Sequence, residues 1–132
     1  MEMTDLESVR TFFAKDRFAT DNGAVIEEVG DHYAKCSMQI TEKHRNAVGA
    51  VMGGVHFTLA DFAFAVAANC QNVGVVSLSS NITYLGAVRG NTLIAEAYCV
   101  KEGRTTNFYQ IDIRDELGNH AAVVTTTGYR KS

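Results

Sequence analysis

One acidic residue stands in a stretch that is otherwise apolar, and it is the first candidate for chemistry. From Val55 to Ala68 the sequence VHFTLADFAFAVAA sets Asp61 among Phe57, Leu59, Phe62, Phe64 and Val66. A carboxylate in such surroundings is costly unless it is paired or used. Two readings are open. Asp61 is either a structural carboxylate, satisfied by a backbone donor or by an arginine across an interface, or a general base or nucleophile tuned by desolvation. Just upstream, the glycines Gly53 and Gly54 run straight into this helix-forming segment. Free N–H groups at a helix N-terminus, next to the positive end of its dipole, can hold an anion or an oxygen that becomes anionic during reaction. The plainer reading is that the glycines only turn the chain. Asp61 lies about two helical turns further on, too far in to act as a cap. Neither G-x-x-x-x-G-K-[ST] nor G-x-G-x-x-G occurs, so this is not a phosphate-binding loop of a known kind.

The remaining chemistry-bearing residues compete poorly. His32, His44, His56 and His120 show no metal-ligand spacing, and no metal site is expected. His44 reads as a solvated loop histidine that could face a ligand, and His56 as a satisfied, partly buried one. Cys36, Cys70 and Cys99 are odd in number and far apart in apolar surroundings, the pattern of reduced core thiols. Cys70 therefore reads as packing. A net charge of −3 gives no electrostatic case for nucleic acid. The opening MEMTDLESVR is acidic and polar, unlike a secretory signal. The apolar segment is shorter than the roughly 20 residues of a membrane span. These features point to a cytoplasmic protein without a membrane partner.

The elements that must position Asp61 and the glycines follow from periodicity. The 132 residues suit a single domain over 1–132. Thr4-Asp5-Leu6-Glu7 forms a capping-box pattern, and Leu6, Val9 and Phe13 recur at helical spacing, so a short amphipathic helix is expected over 4–15. Two strands are expected over 24–29 and 32–40, joined by a turn at Gly30-Asp31, with Ala34, Cys36, Met38 and Ile40 facing the core. The loop 41–53 leads into the long apolar helix, which must be buried because it is apolar on nearly all sides. Four further strands, over 74–85, 92–102, 106–114 and 121–129, are separated by short turns and suggest an antiparallel meander. The expected fold is α+β, an antiparallel sheet wrapped around one long central helix. The outer sheet face, with Val123 and Tyr129 near threonines, is left as a candidate oligomer surface.

These residues resemble the phenylacetate-degradation type of hotdog-fold acyl-CoA thioesterases. The family pattern Asn-x-x-Gly-x-x-His-Gly-Gly, followed by Asp in the helix, stands here as Asn46-Ala47-Val48-Gly49-Ala50-Val51-Met52-Gly53-Gly54 with Asp61. Ser77 to Tyr84 looks like the family's third strand; Gly90 to Ala97 and Gly103-Arg104-Thr105 look like its fourth strand and the turn after it. The resemblance covers nearly the whole chain beyond the first helix. It implies that the Gly53 N–H polarises a thioester carbonyl with Asn46 as a second contact, and that Asp61 acts on water or attacks directly. Ser77 would orient the water. Gly54, Met52, Arg89, Arg104 and Thr105 would contact the substrate, the arginines at the phosphates of coenzyme A.

The resemblance also implies a homodimer whose sites combine Asp61 and Asn46 from opposite subunits, with dimers pairing into tetramers. No cofactor is implied, since coenzyme A is part of the substrate. Met52 departs from the family's His and removes a polar group from the loop. This departure keeps a second reading open, a non-catalytic module that binds or senses acyl-CoA. A hotdog dehydratase is a weaker third, because such enzymes pair a catalytic His with an acid and no His is placed for it.

Overall fold

Asp5 starts the first helix described by the computed structural model, which covers residues 5–131. Its carboxylate accepts a 2.7 Å hydrogen bond from the Ser8 N–H and so caps α1 (Leu6–Phe13). Thr4, the expected capping residue, lies outside the described residues. α1 buries Val9 and Phe13, and the Arg10 guanidinium donates to the Ile26 carbonyl at 2.9 Å, fixing the helix to the sheet. A second helix, α2 (Arg17–Asp21), follows where no element was expected. It is held by the Arg17–Asp21 pair one turn apart, at 3.1 and 3.0 Å.

The strands are β1 (Ala24–Gly30), β2 (Tyr33–Gln39), β3 (Val75–Tyr84), β4 (Thr92–Glu102), β5 (Thr106–Asp115) and β6 (His120–Arg130). Between β2 and the long helix α3 (Gly53–Asn69) lies a 3-10 turn at Glu42–His44. The β1–β2 turn is centred on Asp31-His32, one residue later than expected, with His32 at φ 52°. Every pairing is antiparallel, and the order is β1-β2-β4-β5-β6-β3. β4, β5 and β6 form a meander, but β3 does not join it in sequence order. It pairs with β6 and becomes an edge of the sheet.

The reason lies at the end of α3. The buried Asn69 side chain accepts from the Gly74 and Val75 N–H groups, both at 2.8 Å, and donates to the Ala65 and Val75 carbonyls at 2.9 and 3.1 Å. These bonds start β3 beside the C-terminus of α3, away from β4. The sheet lays Ala34, Cys36, Ala95, Ala97, Ile111 and Ile113 against α3, all fully buried. The alanines let the helix approach closely while Leu59, Phe62, Phe64 and Val66 fill the space between. The architecture is the expected α+β hotdog arrangement.

Asp115 ties two turns together. It is 1% exposed, and its carboxylate accepts from the N–H groups of Arg89 and Gly90 in the β3–β4 connection and from Leu117 and Asn119 in the β5–β6 hairpin. Burial alone would raise its pKa. The Asn119 side chain and the backbone donors outweigh that and hold it well below the usual carboxylate range. Its stabilisation is therefore complete above the ordinary value of 3.8 and is lost as pH falls below it. Asp115→Ala is expected to cost on the order of 3 kcal/mol at pH 7, by leaving buried donors unpaired. The deficit shrinks in acid, as denaturant unfolding at pH 7 and pH 3 will read.

Candidate active site

The N-terminus of α3 has no side-chain cap, because its cap residue is Met52. Among the described residues no protein acceptor takes the N–H of Gly53 or Gly54, so both remain available beside the positive end of the helix dipole. The loop before them is held rigidly. The Asn46 side-chain oxygen accepts from the Val48 and Ala50 N–H groups at 3.1 and 3.0 Å, and Met52 N–H donates to the His44 carbonyl at 2.9 Å. Two backbone donors on one atom require it to be the amide oxygen, which leaves Asn46 only its amide N–H groups for a ligand.

His44 is not the solvated loop residue expected. It is 2% exposed: its Nδ1 accepts from the Thr41 N–H at 2.9 Å and its Nε2–H donates to the Asn22 carbonyl at 2.8 Å. It joins the loop to the end of α2, a contact 22 residues away in the chain. His56 is buried, as read, but it also lines a cavity of about 310 Å³ with Gly53, Val51, Tyr84 and Val88. Its Nδ1–H donates to the Met52 carbonyl at 2.9 Å, and burial lowers its pKa, so the ring is neutral at pH 7.

Asp61 is not buried in the single chain. α3 is covered by the sheet on one side, and a stripe at helical spacing, Gly54, Thr58, Asp61 and Ala65, is left open to different degrees. Asp61 reaches a cavity of about 470 Å³ between α2 and α3, lined also by Asp16, Phe18, Phe57 and Phe62. Desolvation by these neighbours raises its pKa, and the Asp16 carboxylate raises it further. Asp16 makes no cap hydrogen bond of its own. The cation lining this cavity, Arg17, is tied to Asp21. Nothing in the sequence around Asp16 marked it, because the encounter depends on where α2 lies.

The other expected contacts are dispersed. Ser77 is exposed on β3 and does not line the Asp61 cavity. Met52 and Gly54 line a third cavity of about 280 Å³ with Phe18 and His44. Arg89 and the exposed pair Arg104 and Thr105 flank opposite ends of β4, roughly 35 Å apart by strand rise. One chain therefore cannot bring both arginines to one set of phosphates. Of the phenylalanines around Asp61 in the sequence, Phe64 is spent in the core against Tyr109, and Phe62 is buried but borders the Asp61 cavity. The cysteines are free thiols, with burial pushing Cys36 up to about 12. Among the described residues no three His, Cys, Asp or Glu converge, and no helix is long and apolar enough to cross a membrane.

A sheet wrapped on a helix, with free N–H groups and a carboxylate along that helix, defines a hotdog thioesterase architecture. The thioesterase superfamily model matches residues 48–122, more than half of the sequence, and the chain belongs to that superfamily. A protein of Archaeoglobus fulgidus is 33% identical over 127 residues, covering 95% of this chain and 82% of its own. The acyl-coenzyme A thioesterase PaaI of Escherichia coli is 28% identical over 125 residues, 94% of this chain and 89% of that one. The solved structure of E. coli PaaI, from the phenylacetic acid degradation operon, matches with a TM-score of 0.89 at 27% identity, over 96% of this chain and 92% of that chain. A hypothetical thioesterase protein of Streptococcus pneumoniae, solved with coenzyme A, matches at 0.83 and 25% identity, over 91% and 97%.

The raised pKa of Asp61 carries a stability consequence. The folded state holds the proton more tightly than the unfolded chain, so stability falls as pH rises through the carboxylate range. Asp61→Asn is expected to raise the melting temperature at pH 7, with the gain vanishing below about pH 4. Asp16→Asn should lower the Asp61 pKa toward the ordinary range, read by carboxyl-carbon NMR titration. An unchanged Asp61 titration would show that the two carboxylates do not interact.

Proposed function

We propose that two copies of this chain build an acyl-CoA thioesterase site, with Asp61 of one copy facing the Gly53 N–H of the other. The observation that carries this reading is the spacing on α3. Gly53 and Asp61 are eight residues apart, about 12 Å along the helix axis. A carbonyl oxygen bound at the Gly53 N–H has its carbonyl carbon about one bond length further on, beyond the reach of the same chain's Asp61. A second α3 lying antiparallel across the open stripe closes that gap. β3 supports a second copy as well: of its ten residues only Val75 is buried, and Leu78 and Tyr84 are 60% and 51% exposed on an unpaired edge. Dimers then pair into tetramers across the outer sheet face, where Val100 and Phe108 border a depression of about 540 Å³.

In this site the thioester carbonyl oxygen accepts a hydrogen bond from Gly53, whose helix dipole favours the negative charge that develops. Asp61 takes a proton from water as its oxygen bonds to the carbonyl carbon; alternatively the carboxylate attacks directly and water cleaves the anhydride. The carbon–sulfur bond breaks, coenzyme A leaves as thiolate and is protonated, and the acid is released. Desolvation and the Asp16 carboxylate raise the Asp61 pKa and so make the carboxylate a stronger base. Asn46 offers its amide N–H groups from the partner's loop. Ser77, exposed on the β3 edge, orients water across the interface. Arg89 serves the phosphates of one substrate while Arg104 and Thr105 serve another copy's. Water is the sole co-reactant, so no cofactor is required, and three free thiols suit a reducing compartment such as the cytoplasm.

Free-thiol release from a panel of short, long and aromatic acyl-CoAs tests this reading. The parent protein turns over at least one class, and Asp61→Ala and Asp61→Asn fold and assemble yet lose at least 100-fold in kcat. Saturable binding with the thioester intact would assign the chain to acyl-CoA binding instead, with Met52→His as the change expected to restore turnover.

A further inference from the structure

We propose that Tyr84 is a second hydrogen-bond donor to the thioester carbonyl oxygen, acting beside the Gly53 N–H; the inference rests on the thioesterase reading above. β3 runs past the N-terminal end of α3, and Tyr84, its last residue, brings its hydroxyl over Gly53. A Cβ placed on Gly53 would lie 2.7 Å from the Tyr84 hydroxyl oxygen and 2.9 Å from the ring carbon that bears it. Only a glycine at position 53 permits that approach. Gly54 next to it meets nothing within 4 Å, so the crowding is specific to one residue of the pair.

The tyrosine is held in this position. Its ring stands edge-on to His56, with centroids 5.3 Å apart and planes at 90°. The His56 ring is fixed in turn by its Nδ1–H to the Met52 carbonyl. The Tyr84 hydroxyl has no hydrogen-bond partner among the described residues, and neither has the Gly53 N–H. Both face the cavity of about 310 Å³ already described. Two donors with free hydrogens thus open onto one small space, the geometry in which an oxygen gains most as it becomes negative. Met52 offers only a thioether, so the polar group at this corner comes from β3. The phenol keeps its proton throughout, since its part is to stabilise charge and not to transfer a proton.

Tyr84→Phe removes the hydroxyl and keeps the ring packed on His56. The expected result is a 10- to 100-fold loss of kcat on the preferred acyl-CoA, with KM changed less than threefold and the melting temperature unaltered. A second readout isolates the carbonyl. Tyr84→Phe weakens binding of a ketone analogue of the acyl-CoA at least fivefold, and leaves binding of the S-alkyl-CoA thioether, which lacks the carbonyl, unchanged. Parent-like kcat and equal affinity for both analogues overturn the assignment. If the parent hydrolyses no acyl-CoA, or Asp61→Asn keeps full turnover, the underlying reading fails, and the two-analogue comparison still decides whether Tyr84 meets the carbonyl.

Discussion

An α-helix that is apolar on nearly every side has to be covered on every side, and one sheet can cover only part of it. That constraint shapes this molecule. Six strands curl against α3 and press alanines, isoleucines and a cysteine onto one side, so that Leu59 and Val66 are completely enclosed. The stripe through Gly54, Thr58, Asp61 and Ala65 stays open. Leaving it so costs apolar exposure, because Phe57 borders the same opening and Phe18 of α2 stands 76% exposed beside it. In the proposed dimer a second copy of α3 covers this stripe, and the bare β3 edge gives that copy a place to dock.

The same constraint gives the site its chemistry. The helix supplies its unsatisfied N–H groups at one end, beside Tyr84 of β3, and its one carboxylate two turns on, along the stripe the sheet leaves open. Surrounding structure serves to hold these two features. Asn69 anchors the far end of α3 to β3, Asp115 clamps the turn beside the Gly53 cavity, and His44 fastens the loop before the glycines to the end of α2. Asp61 is destabilising to the fold in its ionised form, and a perturbed carboxylate beside a cavity is the kind of group the proposed reaction needs.

Much of this was legible in the sequence. Alternation in β2 and β5 and the unbroken apolar run of α3 carried the elements to within a residue or two, and the Asn46–Gly54 loop with Asp61 carried the family. What was not legible depended on contacts between distant residues. α2 has five residues, too few to show periodicity, and its existence decides the surroundings of Asp61. β3 reads locally like the strands after it, yet the hydrogen bonds of Asn69 send it to the sheet edge. Asp61 looked buried because composition cannot tell a helix enclosed on every side from one that its own sheet leaves open along a stripe. His44 looked solvated because its partner, Asn22, is far away in sequence. Tyr84 showed only as the end of a strand, because the approach of its hydroxyl to Gly53 joins residues 31 apart in the chain.

The most direct test of a site shared between copies is complementation with two differently tagged variants. Asp61→Asn leaves the glycine corner intact and removes the base; Gly53→Val keeps the base and blocks the corner. Each variant alone should assemble and be inactive, and heterodimers purified through both tags should recover about half of the parent turnover, because one of their two sites is whole. Heterodimers as silent as either variant alone would contradict the account, since they would place both groups of each site within a single chain.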